Sequence, residues 1–83
     1  MKIEVTQKDI EKGKRNSSRF CPVARAVRRA TRKRYIEVTG RTIFIERKEL
    51  FVPLKVTRFI NRFDDSILVH PFSFELPDEA FSK

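Results

Sequence analysis

The chain has one cysteine and one histidine among its 83 residues. A single cysteine excludes an internal disulfide framework, and one Cys with one His falls short of a structural zinc site. No apolar run approaches the ~18 residues that a membrane-crossing helix needs. No hydrophobic signal-peptide core follows Met1-Lys2, so a cytoplasmic protein is expected. Internal repeats and a linker long enough to divide domains are both missing. Walker loop, dinucleotide fingerprint and zinc knuckle are absent too, and Gly40-Arg41-Thr42-Ile43-Phe44-Ile45 falls short of an RNP1-type signature. These gaps leave little room for a cofactor or a metal, and none is expected.

What is present is charge and a small core. The formal net charge is +8, yet 40% of residues are hydrophobic and eight are Phe, which suits a folded single domain over 1–83. A chain of this length hides about 60–65% of the surface its unfolded form exposes, so its stability margin is narrow. Residues 1–34 hold twelve Lys/Arg against three acids, a net of +9, whereas 64–83 is net −4. This asymmetry points to an anionic partner for the N-terminal half: nucleic acid, a phosphorylated ligand or an acidic protein surface.

Patterning predicts an α+β fold: a small, mostly antiparallel sheet packed against two amphipathic helices plus one short helix. Lys2-Ile3-Glu4-Val5-Thr6 alternates as a half-buried strand. Thr6 and Asp9 have capping-box spacing for a helix over Gln7–Lys12, ended by Gly13, a residue tolerant of the left-handed C-cap conformation. A basic loop over 14–19 follows. Asn16, Ser17 and Ser18 are N-cap candidates for the main helix, with Pro22 in its first turn. Phe20, Val23, Ala24, Val27 and Ala30/Thr31 recur at helical spacing and predict one buried stripe. Arg34–Thr39 and Arg41–Glu46 read as a hairpin, Glu49–Val52 as a short third strand, and Val56, Phe59, Ile60 and Phe63 as the apolar face of a second helix that Asp64-Asp65-Ser66 ends. Phe72, Phe74 and Leu76 alternate as an edge strand, an expected neighbour of the first strand. The acidic residues 78–83 are expected to fray.

Several of these pieces resemble a group of small, functionally uncharacterised proteins encoded by bacteriophages and prophages. They are Val5-Thr6 with Asp9-Ile10 and Gly13, Cys21-Pro22-Val23-Ala24 with Ala26 and Arg28-Arg29-Ala30, Arg58-Phe59-Ile60 with Arg62-Phe63-Asp64, and Pro71-Phe72-Ser73-Phe74-Glu75-Leu76. The resemblance implies a phage-type accessory protein acting in a host cytoplasm. It supplies no catalytic residues.

Two constellations bear on function. Cys21 at a charged helix start has the macrodipole and Arg19 and Arg25 nearby, which favours thiolate. A nucleophile needs a base, however, and nothing places His70 beside it; a packing role and no enzymatic activity are expected. The second is the arginine face. Arg25, Arg28, Arg29 and Arg32 fall within about two turns, roughly 11 Å of helix, long enough to meet two or three phosphates. Lys14, Arg15, Arg19, Lys33 and Arg34 extend it into a nucleic-acid or anion-binding patch. The alternative for that face is a solvated surface partly neutralised by Glu4, Asp9 or Glu11. The expected activity is backbone binding to DNA or RNA; the alternative is direct binding to an acidic host protein, such as a defence component, as an inhibitor or modulator.

Overall fold

The computed structural model describes residues 1–77, so the expectation for 78–83 lies outside the described residues. In chain order the elements are β1 (Lys2–Val5), α1 (Gln7–Lys12), α2 (Pro22–Thr31), β2 (Ile36–Val38), β3 (Thr42–Ile45), β4 (Lys48–Phe51), α3 (Leu54–Asp64) and β5 (Phe72–Glu75). The α+β class and the helix positions agree with the sequence pattern. The strands, however, divide into two antiparallel sheets, β1-β5 and β2-β3-β4.

Groups outside the strands occupy part of one edge in each sheet. The amide of Val38 on β2 donates to the carbonyl of Ser18 in the 14–20 loop at 2.7 Å. The carbonyl of Glu4 on β1 accepts from the Arg29 guanidinium at 2.8 Å. Partners other than a strand thus hold backbone groups that a joined sheet would use. Helix α2 packs on both β1 and β2 and so bridges the sheets. First and last strands do pair, with Ile3 opposite Phe74.

The core follows from α2. Val23, Ala24, Ala26 and Val27 are buried and meet Ile3, Val5, Ile36 and Ile43, while Val56, Phe59, Ile60 and Phe63 of α3 complete the cluster. Burying a Val of this kind contributes roughly 1.5–3 kcal/mol against leaving it in water. Phe20 departs from the expected stripe and is 50% exposed. The N-cap of α2 is Cys21, not Asn16, Ser17 or Ser18, and Pro22 occupies N1. Phe20 therefore precedes the helix, and helical spacing ceases to govern where its ring points. Ser17 caps a turn instead, its hydroxyl accepting from the Phe20 amide at 3.1 Å.

Gly13 also differs from expectation. It does close α1, but in an extended conformation (φ −70°, ψ 156°). Its small size is what matters: a Cβ there would lie 2.6–2.7 Å from the ring and nitrogen of Pro22. Pro22 is buried and fixed at the head of α2, so it has little freedom to yield. Gly13→Ala at a compatible φ would ordinarily stabilise slightly by restricting the unfolded chain. Here the clash reverses the sign, and a loss of about 1–3 kcal/mol is expected in urea denaturation. An unchanged or higher midpoint would show that α1 and α2 are not in close contact.

Candidate nucleic-acid interface

The loop over residues 14–20 is built by backbone bonds. The Lys14 amide donates to the Phe20 carbonyl at 2.9 Å, and the Cys21 amide to the Ser17 carbonyl at 3.1 Å. Asn16 takes a left-handed φ of 55°. Its amide donates to Asp64 Oδ1 at 2.9 Å, which ties the loop to the end of α3.

The loop delivers Phe20 to the surface among cations. Lys14 Nζ lies 5.8 Å from the ring centroid, Arg19 Cζ 6.0 Å and Arg28 Cζ 5.7 Å. Arg19 also sits 5.4 Å from the ring of Tyr35, itself 40% exposed. Arg28 is positioned from the helix: its Nη2 donates to the Arg19 carbonyl at 2.8 Å and to the Ile36 carbonyl at 3.4 Å. Lys14, Arg19 and Arg28 form no ion pair among the described residues. The acid at the patch edge, Glu37, accepts instead from the hydroxyls of Ser18 and Tyr35. That bond pushes the Tyr35 phenol above its ordinary value.

The other cations named from the sequence are dispersed. Arg25 and Arg29 turn to Asp9, which is fully buried. Arg29 grips both carboxylate oxygens at 2.7 and 2.8 Å, and Arg25 Nε approaches at 3.4 Å. Asp9 also completes the Thr6 capping box, accepting from the Thr6 amide at 3.0 Å. Burial pushes the Asp9 carboxyl up; the Arg29 guanidinium and the Thr6 donors outweigh it and hold the group below the usual carboxylate range. Arg15 leans on Phe63, 5.8 Å from its centroid. Arg32 is the C-cap of α2 with φ 60°, and Lys33 and Arg34 follow it beyond the helix end. The structure thus brings together Lys14, Arg19 and Arg28, draws Arg25 and Arg29 into a structural ion pair, and leaves Arg15, Arg32, Lys33 and Arg34 outside the Phe20 cluster.

Phe20 and Tyr35 are the members that periodicity missed. A signal was available: Pro22 favours the first helical position, which leaves Phe20 two residues upstream and outside the stripe. Cys21 is buried, and its sulfur accepts from the Ala24 amide at 3.4 Å. Burial pushes its thiol up, in keeping with the expected packing role and against the thiolate that the helix start and neighbouring arginines would favour.

A second feature lies along α3. Lys55, Arg58, Arg62 and His70 line a cleft of about 370 Å³ together with Phe59, Leu68 and Phe72. Among the described residues no group of three or more His, Cys, Asp or Glu is arranged to hold a metal ion, and no helix is long and apolar enough to cross a membrane. Comparison with protein-family models, curated proteins and solved structures finds no match to this chain.

Proposed function

We propose that this chain is a small, non-enzymatic accessory protein of the phage type, acting in a host cytoplasm, that binds nucleic acid through Lys14, Arg19 and Arg28 around Phe20. The observation that carries the reading is the convergence of three cations on one half-exposed ring, none of them in an ion pair among the described residues, with Glu37 bonded instead to Ser18 and Tyr35. Cation–π attraction and the two carbonyls that hold Arg28 draw these cations to the ring, but their mutual repulsion remains, and an anion would offset it. Two arginines favour phosphate, which a guanidinium meets with two parallel N–H donors. The N-terminal excess of +9 would steer a polyanion toward this side.

The test is whether the purified protein carries nucleic acid. The chain has no Trp, one Tyr and eight Phe, so its own absorbance at 280 nm is weak and its own 260/280 ratio is high for a protein; the change on washing, not the ratio alone, reports bound nucleotide. Protein isolated at low salt is expected to show an elevated 260/280 ratio that falls after a high-salt wash. The same ratio before and after the wash would count against the proposal.

A second reading draws on the α3 cleft. Its mixed basic and apolar lining suits an acidic protein segment with an apolar anchor, in keeping with an inhibitor or modulator of a host protein. A stoichiometric protein partner recovered from nuclease-treated host lysate, and lost on Arg58→Glu with Arg62→Glu, would favour it.

A further inference from the structure

We infer that the Phe20 cluster selects single-stranded over double-stranded nucleic acid, with the Phe20 ring as a stacking platform for one unpaired base. The inference rests on the nucleic-acid reading above and specifies its substrate.

In a duplex each base face is covered by its neighbours, so an exposed side-chain ring finds no π-face to meet. An unpaired base offers one whatever its identity, and phosphates flank it on both sides. Phe20 has the properties such a contact requires. Half of its surface is open although it sits beside a buried helix start. Its backbone is fixed at both ends by the Ser17 hydroxyl and the Lys14 amide, so the ring is presented from a rigid position. Arg28 is pinned by two carbonyls and marks one side of the platform. Lys14 and Arg19 have no side-chain hydrogen bond among the described residues and hold the ring only through cation–π contact. An incoming base replaces that contact, and the two released cations swing to the phosphates on either side. Tyr35, linked to Phe20 through Arg19, extends the aromatic surface toward a neighbouring base. The Phe59, Phe63, Phe72 and Phe74 rings stack among themselves in or beside the core and serve no such purpose.

The experiment compares a fluorescent dT 12-mer with a 12-base-pair duplex whose terminal base-pair faces are covered by stacked end caps, by anisotropy at low salt, using the full chain. Wild type is expected to bind the single strand about tenfold more tightly. Phe20→Ala and Phe20→Leu should each erase most of that advantage while changing duplex binding less than about twofold. Leucine keeps the apolar bulk but has no π-face, so it separates stacking from simple contact. Phe20→Trp should restore single-strand affinity, and its fluorescence, the only Trp signal in the chain, should be quenched by dT but not by duplex. Equal affinity for both probes, or equal weakening of both by Phe20→Ala, would overturn the inference and leave backbone binding standing. Absence of binding to either probe would overturn both.

Discussion

Asp9→Ala is expected to cost about 2–4 kcal/mol of folding stability, a large share of the margin of so small a domain. The substitution removes the bidentate Arg29 partner, the Arg25 contact and the carboxylate half of the Thr6 capping box together. The cost stays below the upper range for a severed buried pair because Arg29 is half exposed and can rehydrate. In thermal unfolding the midpoint should fall by more than about 10 °C. Asp9→Asn retains an oxygen for capping and should lose less. The pH dependence follows from the depressed carboxyl. Its stabilisation is fully present above the unfolded-state value near 4 and is lost as pH falls through the lower folded-state value. Wild type should therefore lose stability in that acidic window more steeply than Asp9→Asn. Parallel curves for the two proteins would show that Asp9 is not held as a paired carboxylate.

Lys14→Glu combined with Arg19→Glu is expected to have the opposite profile: intact folding and lost binding. Both side chains are exposed and make only ring contacts among the described residues. Their reversal should move the unfolding midpoint by less than about 4 °C. Oligonucleotide affinity at low salt should fall on the order of 100-fold, since two attractive contacts become repulsive beside Arg28. Arg29→Gln is the useful contrast. It strips a cation from the same helix but should act on stability through Asp9, with little effect on binding at constant fold. The double reversal shifts net charge by −4 and Arg29→Gln by −1, so a loss of binding in Arg29→Gln about a quarter as large on a logarithmic scale would mean that bulk charge matters and not the Phe20 cluster.

The legible parts of this protein are those decided by near neighbours. The Thr6/Asp9 box, the Val23–Val27 stripe and the end of α3 at Asp64–Asp65 each depend on residues within a turn or two. Alternation shows the first and last strands and makes them candidate neighbours, but leaves the strand order open; they do pair. Tertiary contacts hid the rest. Arg29 lies 20 residues from Asp9; the alternative of a face partly neutralised by Glu4, Asp9 or Glu11 holds for Arg25 and Arg29, but nothing local says which acid would be gripped or by which arginines. The four-arginine face consequently divides by partner: Arg25 and Arg29 serve the fold, Arg28 joins the loop, and Arg32 caps the helix end. Gly13 looked like a conformational glycine and is a steric one, because Pro22 crosses it. Phe20 was hidden by counting helical spacing back past the N-cap. The two-sheet division, with Ser18 and Arg29 bonded to strand edges, is likewise a tertiary feature that alternation alone does not encode.

The most direct measurement is the salt dependence of oligonucleotide binding to the wild-type chain. If Lys14, Arg19 and Arg28 neutralise three phosphates, affinity should drop about 20- to 40-fold between 50 and 200 mM salt, the smaller figure for a single strand. The log–log slope should flatten by about two contacts in Lys14→Glu/Arg19→Glu, if that variant still binds measurably. A slope near zero in wild type, or no binding even at 50 mM salt, would contradict the assignment of this cluster to a nucleic-acid backbone.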